Sequence, residues 1–256
     1  MMGKLTFLGT GTSTGIPEIG CDCPTCTSQD PRDQRYRSSA LIQYGGEDIL
    51  IDCGPDVRSQ LLSVRCHNLD RILLTHEHYD HTGGIDDMRP LFRDKPEVPL
   101  YAEANVIQAV MCRLPYAFVD HRYPGVPHIV MHEVSVGTPL VLKDGSRVEP
   151  IRVMHGKLPI VGYIFDKLAY ITDCKTLPEE TMEQLKGIST LMINALRLYE
   201  HPAHITLQEA LHFIEKIKPQ RAYLTHFAHT FGTHQEIEKM CPEGVFPAYD
   251  RLELTF

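Results

Sequence analysis

Three histidines and an aspartate fall within six residues, His76-Glu77-His78-Tyr79-Asp80-His81, directly after the apolar run Arg71-Ile72-Leu73-Leu74-Thr75. A short apolar run of this kind reads as a buried strand, so the cluster arrives at a strand's C-terminal end. It leads into Thr82-Gly83-Gly84, which predicts a loop rather than a helix. A loop can turn His76 and His78 one way and Asp80 and His81 the other, around two neighbouring ions. Imidazole with carboxylate suits zinc, manganese or iron. Residues this polar are rarely packed together without a role. The cluster therefore asks for a fold in which other strand ends supply further ligands nearby.

The remaining pattern can supply such a fold. Strands are expected at 4–8, 40–44 and 48–52, with Gly45-Gly46 turning between the last two. A helix is expected over 55–63, and another over 103–113. The second half repeats the style, with strands at 139–143, 147–154, 161–165 and 168–172 and a turn at Asp144-Gly145. A buried strand follows at 191–194. Thr206 can cap a helix, Glu209 completes a capping box, and Leu207, Leu211, Ile214 and Ile217 recur at helical spacing before Pro219. The last buried strand, 221–225, ends on His226. With no linker between the halves, one domain is expected, a sandwich of two sheets with helices outside. His155 and Asp173 also follow strands, and the Asp173 carboxylate could bridge two ions. Taken singly, His155, Asp173 and His226 could each be an ordinary hydrogen-bonded residue; together they supply the ligands that two ions need.

Cysteine usage points to a second site. Of eight cysteines, three crowd into Cys21-Asp22-Cys23-Pro24-Thr25-Cys26. Such spacing favours metal over disulfide in a cytosolic setting, and a tetrahedral zinc would need one more ligand. The scattered Cys53, Cys66, Cys112, Cys174 and Cys241 read as small buried residues.

Composition narrows the partners. The 256 residues are 43% hydrophobic and 23% charged, which fits a folded soluble protein. No apolar run approaches the roughly 18 residues of a membrane span. The start, Met1-Met2-Gly3-Lys4-Leu5-Thr6-Phe7-Leu8-Gly9, meets glycine too early for a signal peptide, so a cytoplasmic protein is expected. A net charge of −8 argues against a broad surface for long nucleic acid. Arg32, Arg35 and Arg37 form a local basic group, either a solvated loop or a phosphate-steering patch.

In order, Asp52, His76-x-His78-x-Asp80-His81, His155, Asp173 and His226 resemble the metallo-β-lactamase superfamily across nearly the whole chain. The resemblance implies an α/β fold, the αββα sandwich of two mixed β-sheets with helices outside. It implies one ion on His76, His78 and His155, another on Asp80, His81 and His226, and Asp173 bridging them, with Asp80 also counted in the catalytic machinery. Asp52, in Ile51-Asp52-Cys53-Gly54, matches a carboxylate that supports the ligands from behind. The flavodiiron branch typically carries glutamate at the position of His78, which disfavours a redox di-iron role.

Two further elements are similar to the PhnP-type phosphodiesterases of that superfamily. Cys21, Cys23 and Cys26 with His229, three residues after His226, match their additional zinc site. His204-Ile205-Thr206 resembles the His-x-Thr element of the PhnP and RNase Z branches, which implies a non-ligand histidine facing the scissile phosphate. His201 is a rival without the following x-Thr, and capping alone accounts for Thr206. The run Phe7-Leu8-Gly9-Thr10-Gly11-Thr12-Ser13 also resembles the phosphodiesterase side, although a tight turn explains it equally well. RNase Z typically carries a glycine-rich arm, and 139–172 has no such insertion. The resemblance thus implies two active-site divalent ions (zinc or manganese), one structural zinc and a small phosphodiester substrate such as a cyclic ribose phosphate. It leaves a homodimer open. The alternatives are hydrolysis of a thioester or lactam, RNA 3′-processing, or a non-catalytic accessory role.

Overall fold

The computed structural model describes residues 2–93, 97–119, 125–126 and 128–256. Strands β1 (Lys4–Gly9), β2 (Ser39–Tyr44), β3 (Glu47–Ile51), β4 (Arg71–Leu73), β5 (Val98–Ala102) and β6 (Ile129–Glu133) lie in one sheet. Strands β7 (Leu140–Val141), β8 (Arg147–His155), β9 (Leu158–Phe165), β10 (Leu168–Tyr170), β11 (Thr190–Asn194), β12 (Arg221–Thr225) and β13 (Val245–Pro247) form the other. The final strand, β14 (Glu253–Thr255), returns to the first sheet beside β1. Each sheet is antiparallel on one side, β1-β2-β3 or β8-β9-β10, and parallel on the other, β3-β4-β5-β6 or β10-β11-β12-β13. The halves share an architecture, as their sequence pattern predicts.

Parallel neighbours need crossovers, which put helices on the sheet faces. Helices α1 (Val57–Ser63), α2 (Tyr79–Thr82) and α3 (Ala104–Arg113) serve the first sheet; α4 (Glu179–Gln184), α5 (Leu207–Ile217) and α6 (His234–Met240) serve the second. Leu5, Phe7, Ile42 and Ile49 from one sheet meet Tyr163, Phe165 and Tyr170 from the other in a central core. Val57, Leu61 and Val106 pack on the outer face of the first sheet, and Leu207, Ala210 and Ile237 on that of the second. Each of the larger apolar side chains contributes about 1.5–3 kcal/mol on burial. The result is the αββα sandwich. Among the described residues, no helix is long and apolar enough to cross a membrane.

Local chemistry accounts for several boundaries. Thr206 Oγ1 accepts from Glu209 N at 3.2 Å while Glu209 Oε2 accepts from Thr206 N at 2.7 Å, so the expected capping box starts α5. Lys218 ends it in the left-handed region at φ 56°, before Pro219. Helix α1 starts at Val57 rather than 55; Asp56 stands at its N-cap, but its carboxylate accepts from Arg37 N and Nη1 instead of capping. The scattered cysteines diverge from expectation: Cys53 and Cys174 are buried, Cys66 and Cys241 half-buried, and Cys112 exposed.

Within the basic group, Arg35 departs from both readings, while Arg32 and Arg37 stay partly exposed. Arg32 pairs with Asp30, and Arg37 pairs with Asp56. Arg35 is buried; it donates to Thr10 Oγ1 and the Ala248 carbonyl and lies 4.4 Å over the Phe227 ring. It is neither solvated nor open to an incoming phosphate.

Candidate metal centre

The expected ligands converge from both sheets at one edge of the sandwich. The cluster after β4 is not wholly a loop: His78 precedes the helical turn α2, and its carbonyl accepts from His81 N at 3.1 Å. That turn swings Asp80 and His81 away from His78. It can sit there because Gly54 and Gly84 carry no side chains. A Cβ on Gly54 would lie 2.0 Å from the Asp80 carbonyl oxygen, and one on Gly84 2.1 Å from the Gly54 carbonyl oxygen.

Asp52, Asp173 and His226 all adopt the left-handed backbone, with φ of 60°, 54° and 61°. Residues with a side chain seldom hold that conformation unless surrounding bonds enforce it. Here Asp52 N donates to the Leu73 carbonyl at 2.9 Å and Phe227 N to the Thr10 carbonyl at 2.9 Å. The Asn194 side chain brackets Cys174, accepting from its N–H and donating to its carbonyl. Three strand ends are thus bent inward toward a common point.

The imidazoles are oriented from behind. His81 Nδ1–H donates to Asp52 Oδ2 at 2.7 Å, and His155 Nδ1–H donates to the Ala203 carbonyl at 2.8 Å. Thr75 Oγ1 donates to Asp52, which leaves it to accept from His76 Nδ1–H at 3.0 Å. Ser38 Oγ donates to the Gly11 carbonyl and accepts from His226 Nδ1–H at 2.9 Å. Those partners take up Nδ1–H of all four rings and turn each Nε2 toward the centre. Nε2 of both His76 and His81 is buried and has no hydrogen-bond partner. Asp52 thus accepts from His81 and from both the N–H and the hydroxyl of Thr75.

Three groupings of donor atoms could each hold an ion: His76, His78 and His155; His76, His81 and Asp173; Asp80, Asp173 and His226. Asp173 reaches both sides, with Oδ2 3.3 Å from His81 Nε2 and Oδ1 3.2 Å from His226 Nε2. Asp80 Oδ2 stands 3.2 Å from His81 Nε2. Burial opposes charge on Asp173, yet His226 and His81 outweigh it and hold the carboxyl well below the usual range. Burial likewise opposes charge on His81, and Asp173, Asp80 and Asp52 override it upward. Burial, reinforced by His81, drives His76 well below the imidazole range. Orphaned buried nitrogens around ionised carboxylates fit a divalent cation pair.

His204 closes the site. It is buried, with Nδ1 3.7 Å from Asp173 Oδ1 and its ring 4.6 Å from His155 and 4.8 Å from His226. Burial, with His226 beside it, pushes its imidazole down to about 3. His201 stands behind it, with ring centroids 4.9 Å apart, and its Nδ1 accepts from Ala203 N. Of the two, His204 is the one beside Asp173. With His155 and Asp173 it forms a further possible ligand trio.

The cysteine loop also meets its expected partner. The Sγ atoms of Cys21, Cys23 and Cys26 and a nitrogen of His229 lie within 4.8 Å of one another. His229 Nδ1 is 3.2 Å from Cys21 Sγ and 3.4 Å from Cys23 Sγ, slightly inside the separation of about 3.6 Å expected for such ligands on tetrahedral zinc. Cys26 N donates to Cys23 Sγ, and Glu18 N donates to Cys26 Sγ. The four donors thus lie close enough to share one ion.

Comparison with known proteins bears on the family and the fold. The model of the beta-lactamase superfamily domain matches residues 47–227. The chain belongs to the metallo-β-lactamase superfamily. A crystal structure of a diphosphatase from the PhnP family superposes with a TM-score of 0.93 at 39% identity, covering 100% of this chain and 98% of that one. That likeness places the chain in the superfamily's PhnP branch. A Porphyromonas gingivalis octanoyltransferase is 44% identical over 98% of this chain, but the chain spans only 51% of that protein. A Bradyrhizobium ribonuclease Z is 33% identical over 48% of this chain and 37% of its own length. Of these relatives, the diphosphatase and the ribonuclease Z are hydrolytic enzymes by name.

Proposed function

We propose that this PhnP-family chain is a phosphodiesterase that hydrolyses small phosphodiesters, cyclic ribose phosphates among them, at a dinuclear zinc or manganese centre. The observation that carries the reading is the convergence of seven His and Asp donors with His204 beside Asp173. In this reading His76, His78 and His155 would hold one ion and Asp80, His81 and His226 the other, with Asp173 within reach of both groups. Two such cations supply Lewis acidity, lowering the pKa of water and neutralising phosphoryl charge.

The chain's own groups do the rest. Asp52, Thr75, Ser38 and the Ala203 carbonyl fix the imidazoles through their Nδ1–H groups, so the ligands need no reorganisation during the reaction. His204 gives a proton to the departing oxygen. Its low proton affinity in the free site comes from burial and from His226; an anionic phosphoryl group set against it supplies the opposite charge and raises that affinity. In a cyclic diester the departing oxygen stays attached, and the product is one monoester. Cys21, Cys23, Cys26 and His229 would hold a structural zinc, which would tie the N-terminal loop to the segment after His226.

The diphosphatase at 39% identity favours a second reading, in which the same centre cleaves a diphosphate linkage. A substrate panel on the metal-loaded protein separates the readings: a cyclic ribose phosphate, a dinucleoside diphosphate, a precursor tRNA and an octanoyl thioester. Turnover is expected on the phosphodiester. Hydrolysis confined to the diphosphate would select the second reading, and hydrolysis of the thioester alone would overturn both.

A further inference from the structure

The Gly-Thr run near the chain's start has no part in that reaction, yet its Thr12 stands against the centre. Thr12 Oγ1 lies 3.1 Å from His226 Nε2, and the residue is only 8% exposed. Because His226 Nδ1–H is committed to Ser38, Nε2 is the acceptor here and the Thr12 hydroxyl the donor. Among the described residues this is the only side-chain hydrogen bond of that hydroxyl. A cation on Nε2 removes the acceptor. A buried hydroxyl left without one is unfavourable, and an oxygen atom on a molecule held by the cation would restore the bond.

The backbone keeps the hydroxyl in place. Thr12 N donates to the Phe227 carbonyl at 2.9 Å, Phe227 N donates to the Thr10 carbonyl at 2.9 Å, and Gly15 N closes a turn on the Thr12 carbonyl. Arg35 clamps the same junction, bonding Thr10 Oγ1 at 2.8 Å and covering the Phe227 ring. The loop is thus locked to the strand end that presents His226, so the hydroxyl meets a developing charge without reorganising.

We propose that Thr12 is a phosphoryl-contacting residue, whose hydroxyl donates a hydrogen bond to a non-bridging oxygen of the substrate's phosphoryl group. The proposal rests on the phosphodiester reading above. Its test compares Thr12→Val, which keeps the β-branched shape without the hydroxyl, with Thr12→Ser, which keeps the hydroxyl, in fully metal-loaded protein. Metal content, turnover and affinity for inorganic phosphate are measured for each.

Thr12→Val is expected to retain its catalytic metals, bind inorganic phosphate about tenfold more weakly and lose about 10–100-fold in kcat. Thr12→Ser should stay within about threefold of the wild type, and Thr12→Ala should repeat the valine result if the valine protein folds poorly. Unchanged phosphate affinity in Thr12→Val would overturn the proposal. So would loss of a catalytic ion, which would make the hydroxyl a support for the metal. Wild-type protein that cleaves no phosphodiester, with phosphate binding still weakened in Thr12→Val, would sink the proposed function and leave the Thr12 contact supported.

Discussion

The two sites suited to metal are built in opposite ways. The His/Asp centre draws donors from the ends of strands in both sheets, and its buried rings are steered by partners elsewhere in the fold. The Cys/His cluster takes three of its four donors from one six-residue loop and is half-buried, its sulfurs held by nearby backbone N–H groups. The first site forms only when the sandwich is assembled; the second needs a loop and one returning histidine. They are joined by His226-Phe227-Ala228-His229, with Phe227 locked to the N-terminal run and covered by Arg35. Damage to the first should therefore abolish chemistry at little cost to folding, and damage to the second should do the reverse.

The largest effect should come from Asp173, the one carboxylate that faces both halves of the centre. Asp173→Ala is expected to cost about 10⁴-fold or more in turnover and to release both catalytic ions, as read by metal analysis. Retention of two ions would break the idea that this residue bridges them. His204→Ala should cost about 10²–10⁴-fold in turnover with the metals retained. Loss of metal there would move His204 into the ligand set, where its approach to His155 and Asp173 also permits it. Ser38→Ala removes the partner of His226 Nδ1 alone and should weaken one ion by about 10–100-fold, measured by chelator competition. Equal weakening of the Cys/His cluster would show that the segment joining the two sites transmits the change.

What was legible in the sequence was local. The six residues from His76 carry their own signature, as do the cysteine loop and the Thr206–Glu209 box, because each function follows from side chains a few positions apart. The strands β11 and β12 on either side of α5 were legible for the same reason, but β5, β6 and β13 were not expected. The structural fate of Arg35 was not, since its burial depends on Thr10, Phe227 and Ala248, remote in sequence. Nor was the left-handed backbone at Asp52, Asp173 and His226, which tertiary hydrogen bonds impose on residues that do not prefer it. Strand β5 contains Pro99, which obscures a strand signal, and β14 is recognisable only because β1 leaves an edge for it. The helical turn α2 is short enough that the glycines after it read as loop.

The smallest effect concerns protons on the cysteine loop, and it sharpens the contrast between the sites. Burial works against charge on Cys23, but the Cys26 N–H and His229 outweigh it and lower the thiol to about 6. Burial pushes Cys26 up to about 12, and the neighbouring Cys23 and Cys21 reinforce the shift. At neutral pH, therefore, Cys23 is already a thiolate while Cys26 keeps its proton. Zinc must displace that proton, so affinity should rise with pH, by at least about tenfold per unit above pH 6. Below pH 6 Cys23 is protonated too, and the dependence should steepen by a further factor of about ten per unit. Chelator competition across this range measures the slope, and Cys26→Ser should flatten it by one proton while weakening binding. A slope unaffected by that substitution would mean that Cys26 is not a zinc ligand, leaving the cluster one donor short of the closed site its geometry describes.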